Sequence, residues 1–280
     1  ESGDPISEHD ILAFSIGYEM AYTTVLDMID MAGVPIRSAD RKELFPLLIA
    51  GGTAALNPEP MADFIDLFLF GEGEEMNNEL LELLRTAKRE GWEKTRLLEA
   101  ASHIGGVLVP SFYKPVLNDD DTINHFEVRN GAPERVTKRI VADLDSVPFP
   151  TDPIVPSTEV VHDRVNLELF RGCVRGCRFC QAGHTYRPIR AKKPETLARQ
   201  GKELLKNTGC QDITLLSLSS SDYRCLSELC DELLEYCEPR SIGLSLPSLR
   251  ADNFSMDIMH RIQKTRKSGL TFAPEAGSQR

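Results

Sequence analysis

Three closely spaced cysteines are the residues of this sequence with the clearest capacity for chemistry. Cys173, Cys177 and Cys180 lie in the segment FRGCVRGCRFCQAG, at residues 170–183, with the spacing C-x-x-x-C-x-x-C. Thiols held so close together indicate a metal site, a disulfide or a nucleophile rather than scattered core residues. Each of these possibilities predicts different surroundings for the three thiols.

Three kinds of site compete for this spacing. A disulfide would leave an unpaired thiol and is rare in a reducing compartment. A zinc site needs four ligands, and His184 supplies the fourth in C-x-x-x-C-x-x-C-x-x-x-H, although structural zinc usually takes two separated ligand pairs. An iron–sulfur cluster is bound by close-spaced cysteines, and a set of three would leave one iron open to a substrate. The residue pattern alone leaves all three open.

Arginines and glycines fill the positions around the cysteines. Arg171, Arg175 and Arg178 favour the thiolate form and would offset the negative charge of a cluster. As an alternative, any one of them is an ordinary solvated side chain. Gly172 and Gly176 are expected to let the backbone turn tightly and direct its amides toward the sulfurs.

The composition describes a soluble globular protein. Of the 280 residues, 41% are hydrophobic and 27% are charged, which allows two domains with their own cores. No apolar run has the length of a membrane span, and the first residues do not form a signal peptide. Seven cysteines, an odd number, favour free thiols, so we predict a reducing compartment, the cytoplasm. The net charge of −11 argues against broad nucleic-acid binding.

The first hundred residues have the pattern of βαβ units around a parallel sheet. Strands are predicted at 11–16, at 46–52 and from residue 66, and amphipathic helices are predicted to end at Gly33 and Gly91. Two glycine-bearing turns fall at the carboxyl ends of strands, the edge where open α/β sheets bind ligands. Neither turn has the spacing G-x-G-x-x-G, so dinucleotide binding is not supported.

The second half of the chain again alternates strand and helix patterns, after a segment with a different residue pattern. Residues 105–163 alternate β-like residues with turn signals and include four prolines in DLDSVPFPTDPIVP, so the domain boundary is placed there. The strand pattern RVNLELF leads into the cysteine loop, and the next helix is predicted to end at Gly209. Four strand–helix repeats, the last strand being LTFAPEAG, fit a whole or partial (β/α) barrel.

The cysteine spacing, directly after the first strand of a predicted βα-barrel, resembles the signature of the radical SAM enzymes. Phe179, an aromatic residue just before the third cysteine, fits that signature. The resemblance implies that Cys173, Cys177 and Cys180 hold a [4Fe-4S] cluster whose fourth iron binds S-adenosyl-L-methionine (SAM). One-electron reduction would cleave SAM to a 5′-deoxyadenosyl radical, chemistry that belongs to the cofactor. It also implies an electron donor such as a flavodoxin or ferredoxin, and a substrate, unknown here, among small molecules, RNA and proteins.

The front half resembles the cobalamin-binding Rossmann-type domain that precedes the radical domain in one branch of the superfamily. Its GG turn and the GEGE turn at residues 71–74 carry this likeness. More narrowly, LLSLSSSDY, SLPSLRAD and KSGLTFAPEAGSQR resemble an uncharacterised bacterial family whose members carry a further C-terminal domain. The sequence lacks D-x-H-x-x-G, the source of the axial histidine, and neither His9 nor His103 has that context. Cobalamin is therefore a doubtful cofactor.

The predicted fold class is α/β. Residues 1–104 are expected to form a partial Rossmann-like parallel sheet, residues 105–163 a β-rich and proline-rich linker, and residues 164–280 a radical SAM (β/α) partial barrel. The chain starts without Met and stops after what is predicted to be a buried strand. Both domains are therefore expected to be incomplete, as parts of a longer protein.

Polar residues at the end of the second barrel strand are candidates for binding SAM. The resemblance places Ser219, Ser220, Ser221 and Asp222 where the superfamily contacts the amino group of SAM. Hydroxyls and a carboxylate suit an ammonium group. The alternative is an ordinary polar turn in which Asp222 caps the following helix.

The ends of the third and fourth strands supply further candidates. Ser245, Ser248 and Arg250 suit the carboxylate of SAM, which arginine can bind with two parallel hydrogen bonds. The resemblance places Glu275 where relatives contact the ribose hydroxyls of SAM. A buried carboxylate on an apolar strand is costly unless it is paired, which also favours a functional role. Ser278, in the same segment, completes the predicted cofactor-binding set.

The remaining reactive side chains have less specific signals. His184 and Tyr186 border the loop and are either pocket residues or packing residues. The other cysteines occur at helical spacings and are predicted to be small core residues: Cys210, Cys225, Cys230 and Cys237. Two functions remain open, a radical enzyme with unassigned catalytic residues and a non-catalytic scaffold whose loop binds zinc.

Overall fold

The chain folds into two compact units. The computed structural model describes residues 3–158, 160–251, 256–265, 272–275 and 277–278. The units are Glu1–Val141 and Ala142–Arg280, and their boundary lies inside the segment 105–163. In the described part of the chain, no helix combines the length and the apolar character needed to cross a membrane.

The first unit is a sheet with helices on both faces. Its elements are β1 (Ile11–Ser15), α1 (Tyr22–Met31), β2 (Leu47–Gly51), β3 (Leu67–Leu69), α2 (Gly73–Glu90), α3 (Lys94–Ser102), β4 (Val107–Leu108), β5 (Tyr113–Leu117) and β6 (Ile123–Val128). Among the described residues, the sheet order is β1-β2-β3-β4, and β5 and β6 form a separate hairpin.

The sheet of this unit is parallel except at one edge. β1, β2 and β3 pair in parallel, as the sequence predicts. β4 runs antiparallel to β3, which differs from the prediction. The reason is that two helices, α2 and α3, connect these strands. The second helix returns the chain to the end of the sheet at which β3 ends, so β4 runs in the opposite direction. The helix α3 is not predicted from the sequence.

Both faces of the sheet are buried. Leu47 and Leu67 belong to a core that they share with α2 and α3, whereas their neighbours Leu48 and Phe68 belong to a core on the side of α1. Successive strand residues point to opposite faces. The consecutive apolar residues of these strands therefore follow from burial on both faces.

The GEGE turn is shaped by a later segment of the chain. Gly71 has a φ of +104°, and a Cβ there would collide with the backbone of Arg139. The Arg139 N–H donates to the Phe70 carbonyl at 2.8 Å, and its guanidinium donates to Glu75 and Glu79, each at 2.7 Å. The close approach of this segment therefore explains the glycine without any ligand.

A buried ionic cluster lies at the opposite edge of the sheet. The Asp66 carboxylate, fully buried, lies 3.2 Å from the Arg41 guanidinium and 2.8 Å from the Lys94 ammonium. It also accepts the Leu48 N–H at 2.9 Å and the Ser38 hydroxyl at 2.6 Å. One side chain thus joins the starts of β2, β3 and α3.

The second unit carries the cysteines. Its elements are β7 (Val165–Glu168), β8 (Phe170–Arg171), α4 (Ala182–Thr185), β9 (Arg190–Ala191), α5 (Pro194–Thr208), β10 (Asp212–Leu216), α6 (Leu226–Cys237), β11 (Gly243–Ser245), β12 (Leu249–Arg250), α7 (Met256–Thr265) and β13 (Phe272–Ala273). In the described residues, β11, β10 and β7 form a parallel sheet in that order, and β12 pairs in parallel with β13.

The last strand is more exposed than the sequence predicts. Phe272 is 41% exposed, although LTFAPEAG is expected to be a buried strand. Among the described residues, β13 pairs in parallel with β12. The apolar composition of the segment alone therefore does not predict burial of Phe272.

The proline-rich segment is hydrogen-bonded to the two ends of α5. The Asp145 carboxylate accepts the Lys193 N–H at 3.0 Å, and the Thr151 carbonyl accepts the Asn207 amide at 2.8 Å. Phe149 packs against the core of the second unit. The linker predicted here therefore lies against a helix.

The buried ionic cluster generates a stability prediction. Asp66→Asn should lower the free energy of unfolding of the first unit by about 3–5 kcal/mol, because Arg41 and Lys94 would remain buried without their anion. Asp63→Asn is the matched control, since Asp63 forms an exposed pair with Arg37 and should cost about 0–1 kcal/mol. Urea denaturation measures both, and equal losses would contradict a structural role for the cluster.

Candidate functional site

The cysteine loop is closed at its base by a short ladder. β8 and β9 pair antiparallel, with Phe170 opposite Ala191 and Arg171 opposite Arg190. The loop that carries the cysteines therefore leaves and returns at adjacent points, directly after β7. This ladder is not predicted from the sequence, because two residues per strand are too few to show an alternation of apolar and polar side chains.

The two glycines of the loop have different roles. Gly172 is buried with a φ of +91°, and a Cβ there would lie 2.8 Å from the Pro188 carbonyl oxygen and 2.9 Å from that of Tyr186. Gly176 is exposed, has no positive φ, and would place a Cβ in open space. The expectation that both glycines are needed for the turn is therefore wrong for Gly176.

The three cysteines are partly buried, free thiols. The Arg175 N–H donates to Cys173 Sγ at 3.4 Å, which confirms that a backbone amide faces one of the sulfurs. The Cys180 N–H donates to the Cys177 carbonyl at 3.0 Å, so these two residues lie on one turn of backbone. Gly183, which is buried, would place a Cβ 3.9 Å from Cys180 Sγ. A Cβ at Gly183 would therefore be in ordinary van der Waals contact with the third thiol.

A bidentate ion pair joins the loop to the end of β10. Arg175 donates to both oxygens of Asp222, from Nη2 to Oδ1 at 2.6 Å and from Nε to Oδ2 at 3.0 Å. The Ser219 hydroxyl also donates to Oδ2, at 2.8 Å. Asp222, predicted to face the amino group of SAM, therefore contacts the cysteine loop itself.

A second arginine reaches the loop from β12. Arg250 Nη1 lies 4.0 Å from Cys177 Sγ and 3.2 Å from a Glu275 carboxylate oxygen. The Glu275 side chain is 27% exposed, so the expectation of a buried carboxylate is wrong, although the expected pairing exists. Two predicted cofactor residues at the ends of different strands thus meet beside a cysteine.

The arginines of the loop are largely matched by carboxylates. Arg171 donates to both oxygens of Glu168, each at 3.0 Å, within its own strand region. Arg175 pairs with Asp222, and Arg178 is exposed. The predicted excess of positive charge beside the thiols is therefore smaller than the sequence indicates, because the neutralising acids lie outside the loop.

The predicted serines occupy different environments. Ser220 is fully buried and its hydroxyl donates to the Leu215 carbonyl at 3.1 Å, inside the turn after β10. Ser245 is partly buried at the end of β11, and Ser248 and Ser278 are exposed. Contacts of these serines with SAM stay predictions.

The zinc alternative predicts four side chains around a single ion. Within the residues that the structure describes, no three His, Cys, Asp or Glu side chains converge as ligands of one ion. His184, the fourth ligand of the zinc alternative, is exposed on α4. Zinc needs four ligands around one point, whereas a [4Fe-4S] cluster needs three thiolates around a larger group, each on a different iron.

The other cysteines belong to the core, as predicted. Cys230 and Cys237 are fully buried, and Cys210 and Cys225 pack against the same core. Burial raises the pKa of the Cys230 thiol to about 12 and that of Cys237 to about 11. Both therefore stay protonated at neutral pH and lack the thiolate form that ligates metal.

The first unit contains a cavity of about 590 Å³ between the sheet and α2. Among the described residues that line it, the polar side chains are Ser15 and Asn77, and none is charged. His9 and His103 are exposed and do not line it. A histidine-ligated cobalamin does not fit this lining.

Two family profiles match the chain, one in each half. The profile described as "Radical SAM proteins, N-terminal" matches residues 1–110, and the one described as "Radical SAM superfamily" matches residues 167–280. The uncharacterized protein MJ0966 of Methanocaldococcus jannaschii is 30% identical over 284 residues, covering 100% of this chain and 52% of that protein.

Two solved structures share the fold. Both are of TsrM from Kitasatospora setae, described as a radical S-adenosylmethionine methyltransferase, one with tryptophan and aza-SAM and one with cobalamin and a [4Fe-4S] cluster. The identities are 13% and 11%, both TM-scores are 0.54, and the matches cover 94% of this chain and 48% and 49% of the TsrM chains. The chain thus spans about half the length of the relatives it matches.

Residues 167–280 belong to the radical SAM superfamily, and residues 1–110 match the N-terminal profile of radical SAM proteins. This confirms the family inferred from the cysteine loop. The predicted fold class, an α/β chain with a Rossmann-like sheet followed by a (β/α) partial barrel, is also confirmed. The bounds 1–104, 105–163 and 164–280 and the roles of the individual site residues stay predictions.

The different surroundings of Gly172 and Gly176 give a test of the loop conformation. Gly172→Ala should lower the free energy of unfolding of the second unit by about 1–3 kcal/mol, since a side chain would meet two carbonyls at a positive φ. Gly176→Ala should change it by about 0.5 kcal/mol or less, as an open surface position. Chemical denaturation measures both. Equal effects would contradict the assignment of the tight turn to Gly172.

Proposed function

We propose that the chain contains the cofactor centre of an enzyme that uses a [4Fe-4S] cluster and SAM to start a radical reaction. The observation that carries the proposal is the loop with Cys173, Cys177 and Cys180, which follows the first strand of a partial barrel in a member of the radical SAM superfamily. Its donors are three free thiols, one of them already accepting a backbone N–H. Such a set leaves one position of a cluster for SAM.

The cluster and its reductant supply the redox chemistry. Cys173, Cys177 and Cys180 would hold a [4Fe-4S] cluster, which would supply one-electron reductive cleavage of the C–S bond of SAM to methionine and a 5′-deoxyadenosyl radical. The electron comes from a low-potential donor protein, such as a flavodoxin or ferredoxin. The chain's own residues hold the cluster, orient SAM and shield the site.

The polar groups around the loop suit the parts of SAM. Asp222 and Ser219 offer oxygens to the amino group. Arg250 has five N–H donors, so it can hold Glu275 and a second carboxylate, that of SAM, at the same time. Glu275 can then accept the ribose hydroxyls. Ser220, Ser245 and Ser278 complete the proposed set.

No step of the reaction is assigned to the first unit. One TsrM structure is described with cobalamin bound, but the cavity lining of this chain offers no histidine among its described residues. Cobalamin therefore has no role in the proposed reaction. The substrate, whether a small molecule, an RNA or a protein, is unassigned, because fold and cluster do not fix it. The proposed compartment is the cytoplasm.

Cysteine substitutions test the ligand set. In the intact protein prepared without oxygen, Cys173→Ala, Cys177→Ala or Cys180→Ala should abolish the brown colour and the bound iron, about four atoms per chain in a [4Fe-4S] cluster. Cys225→Ala is the control and should retain both, because Cys225 packs against the core. Iron and zinc analysis measures the outcome. Similar iron loss in the control, or a colourless protein with bound zinc, would contradict the proposal.

Glu275 gives a second test. Glu275→Gln should weaken SAM binding roughly tenfold, because charge-assisted hydrogen bonds contribute about 1.5–3 kcal/mol and 1.4 kcal/mol is tenfold. Iron content should be unchanged, since the residue is not a ligand. Glu235→Gln, an exposed change on α6, is the control. Calorimetric titration measures the affinity, and unchanged affinity would remove Glu275 from the cofactor site.

A further inference from the structure

Arg175 is fixed at three points although it lies in the middle of a loop. Its guanidinium makes the bidentate contact with Asp222. Its N–H donates to Cys173 Sγ, and its carbonyl accepts a hydrogen bond from Arg187 Nη2 at 3.2 Å. The side chain and the backbone of one residue therefore connect the end of β10, a candidate cluster ligand and the far side of the loop.

The Asp222 end of this contact is rigid. The Asp222 side chain is only 9% exposed, and it belongs to a turn in which Ser219 and Ser220 are buried. Ser219 donates to the same carboxylate, and Ser220 is hydrogen-bonded within the turn. Planar arginine–carboxylate pairs of this kind add geometric specificity as well as energy. The turn can therefore serve as an anchor for the loop.

Arg178 provides a comparison within the same loop. It lies between Cys177 and Cys180, as Arg175 lies between Cys173 and Cys177, but it is exposed. Arg171 pairs with Glu168, three residues away. Of the three arginines singled out by the sequence, Arg175 alone forms its ion pair in the described structure with a residue of the next barrel strand region.

We propose that Arg175 and Asp222 form a positioning pair that holds the cysteine loop in its cluster-binding conformation and fixes the N–H donor on Cys173 Sγ. This inference rests on the proposed function. Neighbours that orient metal ligands typically change metal affinity 10–100-fold, roughly, when they are removed. Hydrogen bonds to cluster sulfurs and nearby charge also set the reduction potential. The pair thus acts through the cysteine ligands, in addition to the contact proposed between Asp222 and SAM.

The test compares iron retention in the intact protein after anaerobic loading with iron and sulfide. Arg175→Ala and Asp222→Asn should each release iron to a chelator roughly 10–100-fold faster than the unaltered protein. The double variant should be no faster than the faster single variant, since the two residues act as one unit. Arg178→Ala removes the same charge from the same loop and should leave the rate unchanged.

The reduction potential separates positioning from general weakening. In cluster-loaded Arg175→Ala, the potential should become more negative, because a positive charge and an ordered N–H donor beside the sulfur are lost. If that variant does not fold, Arg175→Lys replaces it, with Arg178→Lys as its control. Lysine keeps the charge but not the planar fork, so faster iron release is expected for Arg175→Lys alone.

The results of these experiments distinguish failure of the positioning pair from failure of the proposed function. Iron release and potential in the Arg175 variant equal to those of the matched Arg178 variant would overturn the positioning pair and leave the proposed function intact. Asp222→Asn with weaker SAM binding but normal iron retention would leave Asp222 with its SAM contact alone, and would also overturn the inference. An unaltered protein that takes up no iron would refute the proposed function itself.

Discussion

The base of the cysteine loop is the constraint on which the rest of the second unit depends. The chain that carries the three thiols leaves and re-enters the fold at nearby points. The β8–β9 ladder supplies this closure, and Gly172 lets the chain pass the carbonyls of Tyr186 and Pro188 at close range. Backbone contacts therefore contribute to the geometry of the loop.

Ion pairs then connect the closed loop to the carboxyl ends of the later strands. Arg175 joins the loop to Asp222, and Arg250 joins Glu275 to the vicinity of Cys177. In both cases a carboxylate proposed for SAM also holds an arginine next to a thiol. Binding of the cluster and binding of SAM are therefore expected to depend on shared residues, which gives the two cofactors a physical means of influencing each other.

Local signals made part of this structure predictable. Gly91 and Gly209 were predicted to end helices, and both adopt the left-handed conformation, with φ of 63° and 71°, directly after α2 and α5. The sequence could not distinguish Gly172 from Gly176, because the difference lies in surrounding carbonyls. It could not pair Arg175 with Asp222 either, since they are 47 residues apart and no periodicity links them. Contacts of this kind arise only from the tertiary fold.

The central claim is that three cysteines hold a cluster with one iron open to SAM. Its most direct test is electron paramagnetic resonance of the anaerobically loaded, reduced protein, recorded with and without SAM. A [4Fe-4S] signal that changes when SAM is added is the predicted result, because SAM would bind the iron that lacks a thiolate. A cluster signal unaffected by saturating SAM, or a protein without a cluster signal, would contradict the claim.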